Sequence, residues 1–239
     1  MTIKDEISEL MKKDVYNFED LIMITRILRS EEGCPWDREQ DHHSIRSSMI
    51  EETYEVIEAI DTDNPILLRE ELGDALFQVM FHAQIEAEEE RFGIGEVVDD
   101  VCKKMIHRHP HVFGSVSCKN SEAVLKNWEA IKTEEKQRNT LSDRLRAIPP
   151  MLPALMRASK VAKKMGRCAE SKPDELLFAL QAQITSIQKN QDKETFDATA
   201  QIGALLARVV DLARAFDVDA ELALSKNTDR LIDNVSDSE

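Results

Sequence analysis

A chain of 239 residues is long enough to bury one or two cores, and 46 acidic against 31 basic side chains, net −15, exclude polymeric nucleic acid and anionic membrane as expected partners. Seven Gly, seven Pro and few alternating β-branched runs predict an all-α protein. Cys34, Cys102, Cys118 and Cys168 are scattered, with neither a CxxC nor zinc-finger spacing, so neither a disulfide framework nor a structural zinc is indicated and reduced thiols are expected. MTIKDEISELMKKD lacks the apolar stretch of a signal peptide, and no run approaches the ~20 apolar residues of a membrane span, so the expected location is cytoplasmic.

In chain order, apolar residues at helical spacing predict a helix from Phe18 to Ser30, closed by Gly33 and Pro35. Two helices follow, Ser44–Ile60 and Ile66–Glu90, separated by the breaker cluster Asp61, Asp63, Asn64 and Pro65. Gly95 to His107 reads as a further helix with Val97, Val98, Val101 and Met105 on one side. After HPHVFG, ending in Gly114, comes a helix expected to be capped by Ser121 and carrying Trp128 and Ile131. The charged stretch TEEKQRN and the prolines at 149, 150 and 153 predict a boundary near residue 140, giving domains 1–139 and 140–239.

The two helices after residue 44 carry acids where a core is expected. Glu52 and Glu55 are three apart, as are Glu71 and Asp74, so each pair shares a helix face. Glu55 stands six residues before Asp61 and Glu71 six after Pro65, roughly 9 Å from the turn at ~1.5 Å per residue. An antiparallel hairpin therefore brings the four carboxylates level. The second helix is apolar around almost its whole circumference (Leu67, Leu72, Ala75, Leu76, Phe77, Met80), which predicts burial on several sides and, because one hairpin cannot bury it, a homodimer. Carboxylates embedded there repel one another unless protons, basic groups or cations compensate, and oxygen-only ligands suit Mg²⁺, with Mn²⁺ as a substitute.

The second half repeats the pattern. ELGDALFQVMFHAQ (71–84) aligns with QIGALLARVVDLAR (201–214) on a shared Gly, but Glu71 becomes Gln201 and Asp74 becomes Ala204. With one residue of offset, Glu52 becomes Gln183 and Glu55 becomes Ser186. The second half is thus expected to keep a helical hairpin without metal ligands.

The order EExxE then ExxD, here Glu51, Glu52, Glu55, Glu71 and Asp74, resembles the MazG family of all-α nucleoside triphosphate pyrophosphohydrolases. GCPWDREQ (33–40), IEETYEV (50–56), REELGDALFQV (69–79), HRHPHVFG (107–114) and NWEAIKTEE (127–135) resemble that family's segments in order. The second half resembles the second unit of two-domain members, with its acids lost, so chemistry is expected in the first. The resemblance implies Mg²⁺-dependent hydrolysis of a nucleoside triphosphate between the α and β phosphates, releasing the monophosphate and pyrophosphate. It implies Glu52, Glu55, Glu71 and Asp74 as metal ligands, and Glu52 and Glu55, with Glu51 beside them, as catalytic acids. Glu51 is expected to orient or deprotonate water. Lys104 and Arg108, one turn apart at a helix carboxyl end, are expected to contact phosphates; Trp128 is expected to stack on the base, with Lys132 joining it one turn later. Trp36, His107, His109 and His111 fit the pattern and read mainly as packing and helix-ending residues.

Two other readings remain open at this stage. A di-iron carboxylate bundle also gathers acids, but it calls for Glu-x-x-His on two helices, and no His stands at those positions. A nucleotide-sensing protein that keeps the site only for binding is the non-enzymatic alternative.

Overall fold

The computed structural model describes residues 2–135, 140–167 and 171–235; the end of TEEKQRN and Cys168 lie outside them. Among the described residues there are helices and no strand, as the composition predicts. The chain divides into two compact units, Met1–Leu125 and Lys126–Glu239. This division falls inside α8 (Ser121–Glu135), earlier than the boundary expected near residue 140. Charge runs and prolines mark where a helix stops, whereas a unit ends where packing ends, and α8 buries none of its residues.

The first unit holds α1 (Ile3–Leu10), α2 (Phe18–Leu28), α3 (Pro35–Glu39), α4 (Arg46–Asp61), α5 (Pro65–Glu88), α6 (Ile94–Arg108) and α7 (Pro110–Phe113). Helix α1 starts from a capping box in which Thr2 and Asp5 satisfy each other's backbone N–H. Helix α2 opens on the same device with Asn17 and Asp20. The expected helix pair is present as α4 and α5. Between them Asp63 turns the chain at φ 50°, and the Asn64 Oδ1 accepts the N–H groups of Ile66 and Leu67, with Pro65 at the first position where no donor is needed.

Helix α5 packs against α2, α4 and α6 and buries Met80, Phe81, Ala83 and Ile85. The core forms where Ile45, Phe81 and Ile85 meet, with Phe77 against them. Within the single chain, burial of α5 is confined to this carboxyl half. Leu72 and Ile66 are 52% and 71% exposed, because α4 covers only one side of α5 near the turn. Arg29, just past α2, is buried and ties the frame: its guanidinium meets the Glu88 carboxylate at 2.8 and 2.9 Å, donates to the carbonyls of Asp37 and Gln40, and lies over the Phe81 ring.

The second unit holds α9 (Leu141–Arg146), α10 (Ala154–Lys164), α11 (Pro173–Asn190), α12 (Ala198–Ala215) and α13 (Ala220–Asp233). Here α11 and α12 form the hairpin, and α10 and α13 pack on α12. Beyond α10, Arg167 pairs at 2.5 Å with the buried Asp211 of α12, an arginine strut placed as Arg29 is placed beyond α2. No helix among the described residues is long and apolar enough to cross a membrane.

Candidate metal centre

Two helices deliver the acids. Helix α4 has no side-chain cap and takes its direction from Ile45, which is buried against Phe81 immediately before the helix begins. Helix α5 is started by Asn64 and Pro65. With both ends so fixed, carboxylate oxygens of Glu52, Glu55 and Glu71 lie within 4.8 Å of one another, Glu52 and Glu71 half-buried and Glu55 exposed. Of the four carboxylates expected to converge by counting residues from the turn, these three do so.

Partial burial pushes the Glu52 carboxyl above its ordinary range, and the charges of Asp74, Glu55 and Glu71 and a hydrogen bond shared with Glu55 push the same way. Burial likewise raises Glu71, followed by the charges of Glu55, Asp74, Glu70 and Glu58. Every influence acting on these two groups disfavours their charged forms. Asp74 joins the cluster electrostatically, although it is exposed and stands outside the tightest group of three. Such an oxygen-only donor set, charged and uncompensated, fits a hard divalent cation.

The other expected site residues are placed as follows. Glu51 is exposed and outside the group of three. Lys104 is exposed and lines a groove of about 410 Å³ along α6 with Phe92, Glu96, Val97, Asp100 and Val101. Arg108, one turn on, is buried. The shared helix face holds, but the two side chains meet different surroundings. Trp128 and Lys132 lie a turn apart on α8 in the second unit, with Trp128 half-buried and Lys132 3.7 Å from Glu129.

Helix α8 is capped by Asn120, whose Oδ1 accepts the Ala123 N–H, so the cap stands one residue before the expected Ser121. His109 ends α6 and opens α7, the helix-ending role expected of it, with Nδ1 2.6 Å from the Met105 carbonyl. Trp36 is 65% exposed and does not pack as expected, because Arg29 grips the α3 segment by its backbone carbonyls and leaves the indole outward. Cys34, Cys102 and Cys118 are free thiols.

Sequence reasoning missed Glu58 and Glu70, which flank the cluster, although Glu58 continues the three-residue spacing of Glu52 and Glu55. It also missed a second polar group, His42, His82 and Glu86. The same counting rule finds it: pairing Glu55 with Glu71 sets residue 42 opposite residue 84, between His82 and Glu86.

In the second unit the aligned positions also face each other. Gln183 Nε2 on α11 donates to Gln201 Oε1 on α12 at 2.9 Å. Neutral amides close that hairpin where carboxylates crowd the first.

The helix pair that carries these acids falls within the stretch matched by a known family. Residues 40–113, which include all four expected metal ligands, match the MazG nucleotide pyrophosphohydrolase domain. The chain is similar to the Thermotoga maritima protein named nucleoside triphosphate pyrophosphohydrolase/pyrophosphatase MazG, 38% identical over 93% of this chain and 86% of that one. It is also similar to the Escherichia coli nucleoside triphosphate pyrophosphohydrolase, 39% identical over 88% of this chain and 82% of that one. An uncharacterized Bacillus subtilis protein, YabN, matches at 37% identity over 90% of this chain but 45% of its own length. The chain belongs to the MazG nucleotide pyrophosphohydrolase family.

Proposed function

We propose that residues 1–139 hydrolyse nucleoside triphosphates between the α and β phosphates, giving the monophosphate and pyrophosphate, with Mg²⁺, or Mn²⁺ in its place, held by Glu52, Glu55, Glu71 and Asp74. The observation that carries this reading is the convergence of three carboxylates within 4.8 Å, with every influence on Glu52 and Glu71 opposing their charge. A hydrophobic protein interior gains nothing from such a cluster; a cation-binding one does. When bound, the ion supplies charge neutralisation at the phosphate oxygens and lowers the pKa of water.

The chain's own residues do the rest. Glu52 and Glu55 hold their oxygens toward α5 from one face of α4, and Glu71 and Asp74 return the arrangement from the facing helix. Glu51 orients the attacking water and accepts its proton, as an exposed carboxylate beside the ligand set can. Lys104 and Arg108 take the phosphates by charge-assisted hydrogen bonds. From the resemblance of NWEAIKTEE, Trp128 is assigned to stacking on the base and Lys132 to the same ligand; stacking alone selects no base. Residues 140–239 are a degenerate copy, structural or dimerising, whose Gln183–Gln201 pair supports loss of metal binding.

The exposed apolar positions Ile50, Tyr54, Ile57, Ile66, Leu72 and Leu76 on the hairpin support a homodimer, which light scattering tests. The net charge of −15 argues against nucleic acid polymers and anionic membranes as partners, and the free thiols suit a cytoplasmic location. The deciding experiment incubates the pure protein with each nucleoside triphosphate, with and without Mg²⁺. Monophosphate plus pyrophosphate is expected; binding without turnover, or release of orthophosphate, would overturn the reading.

A further inference from the structure

The end of the α4–α5 hairpin away from the turn carries a polar cluster with no part in the chemistry above. His42, in the segment leading into α4, meets His82 of α5 edge to edge, with ring centroids 5.0 Å apart and planes within 12° of parallel, and their Nδ1 atoms are 2.7 Å apart. The other ring nitrogen of His42, Nε2, lies 2.5 Å from Glu86 Oε1, and Arg91 Nε meets the second oxygen of that carboxylate at 2.5 Å. Three residues on, Ile45 is in the core against Phe81 and Ile85. Because α4 has no side-chain cap, His42 and Ile45 are what fasten its entrance to α5.

Counting protons gives the cluster its character. Arg91 and His42 bring the Glu86 carboxyl down to about 2, so it is an anion and accepts, and His42 Nε2 must carry a hydrogen. Two Nδ1 atoms at 2.7 Å then need one proton between them, supplied by either ring. If both rings are cationic, two N–H groups confront each other and the contact cannot stand.

We propose that His42 and His82 form a proton-limited clasp that sets the register of α4 on α5, and so act as positioning residues for Glu52, Glu55, Glu71 and Asp74. This rests on the metal-site reading of those acids. A slip of one helical turn is ~5.4 Å, which would take the α4 carboxylates out of the group of three.

The surroundings leave His82 as the group that decides. Burial lowers its affinity for a proton, and the charge of His42 adds to this. Asp41, beside His42, is occupied by the N–H groups of His43 and Ser44. His43 and Arg46, on the same segment and the start of α4, are exposed. On α5, Glu88 is taken by Arg29, which comes from the end of α2; within α2, Asp20 is taken by Lys13 and Arg26 by Glu6. On α6, Glu96 holds the Gly93 N–H and Asp99 holds Lys103. A histidine whose folded-state pKa is depressed stabilises the fold above its unfolded value of about 6.5 and loses that contribution as pH falls below it. The clasp is therefore closed at neutral pH and opens on mild acidification.

The test measures amide hydrogen-exchange protection of residues 41–50, corrected for intrinsic rate, and Mn²⁺ affinity, both from pH 7.5 to 5.5, for the full chain and two variants. In His82→Asn an amide stands where Nδ1 stood and donates to His42 without titrating. In His42→Gln the Glu86 bond can persist while the Nδ1 contact is gone. The wild type is expected to lose about tenfold in protection on acidification, and Mn²⁺ affinity about tenfold beyond the loss seen in His82→Asn. His82→Asn should hold its protection across the range, and His42→Gln should be poorly protected throughout. A wild type with flat protection, a parallel fall in His82→Asn, or wild-type protection in His42→Gln would each overturn the clasp. Failure of every protein to bind Mn²⁺ at any pH would instead remove the metal-site reading, with the exchange data still deciding the clasp.

Discussion

The hairpins α4–α5 and α11–α12 share a frame and differ in what closes it. Each has a helix packed on its second arm from before and another from after, and each is braced by an arginine just beyond the leading helix. In the second unit Gln183 donates to Gln201 across the hairpin and the contact is satisfied as it stands. At the aligned rung of the first unit, Glu52 and Glu71 meet Glu55 and Asp74, whose charges make Glu52 and Glu71 harder to ionise. A rung of crowded like charges opposes its own frame, and the second hairpin shows the same frame closed by neutral amides.

The sharpest way to break the comparison is to remove ligands on one side only. Glu52→Ala or Asp74→Ala should lower pyrophosphate release by well over the ~10–100-fold typical of losing a mere supporting partner of a ligand. Gln183→Ala should leave turnover unchanged. Initial rates with a triphosphate and Mg²⁺ measure both, and activity surviving in Glu52→Ala would place the chemistry elsewhere.

The two arginine struts give the next largest effect. Arg29→Ala strips a buried hub of its bonds to Glu88, Asp37 and Gln40, and a loss of roughly 3 kcal/mol is expected from breaking such a buried pair. Arg167→Ala should cost less, because Arg167 is 40% exposed, yet it leaves the buried Asp211 without its closest partner. Denaturant unfolding followed separately in each unit, by Trp36 in the first and Trp128 in the second, would rank them. Equal losses would mean that the struts are not graded by burial.

Helix caps set a smaller scale. Asn64→Ala frees the N–H groups of Ile66 and Leu67 at the start of α5, and Asp197→Ala frees that of Ala200 at the start of α12. Each should cost about 1 kcal/mol. Only the first adjoins the acid rung, so only Asn64→Ala should also weaken Mn²⁺ binding, which calorimetry would show.

Much of this architecture can be read from residue spacing, for physical reasons that also mark where reading stops. The breaker Asp63-Asn64-Pro65 fixes where the chain reverses, and a constant rise per residue then pairs Glu55 with Glu71 without further knowledge. The caps of α1 and α2 are equally local and could have been found by the same attention. The unit boundary could not, because TEEKQRN and the prolines report where a helix is hard to continue, and the division at 125/126 depends on contacts between distant residues. Trp36 misled for a similar reason: an indole suggests packing, while the decisive contact is Arg29 holding the backbone beneath it. Exposure along the first half of α5 is likewise invisible in its apolar composition, which reports what the helix can bury and not what covers it.

The finest test of the comparison is Glu71→Gln, which makes the first hairpin resemble the second at one position. A carboxyl raised in the folded state stabilises the protein fully below its unfolded pKa, near 4.3 for glutamate, and loses that contribution as pH rises through the folded value. Metal-free wild type should therefore give up stability between about pH 4 and neutrality through Glu52 and Glu71. Glu71→Gln removes one of these groups and relieves the other, so at pH 7 without metal the variant should melt a few degrees above wild type, and at pH 4 the two should coincide. Adding Mn²⁺ should reverse their order, because the wild type gains a bound ion and the variant has lost a ligand. The mirror substitution, Gln201→Glu, can still accept the Gln183 amide and meets no neighbouring acid at the aligned positions, so it should melt like wild type at both pH values. If Glu71→Gln melts lower than wild type without metal, the carboxylate is contributing to the fold, and crowding is not what separates the two hairpins.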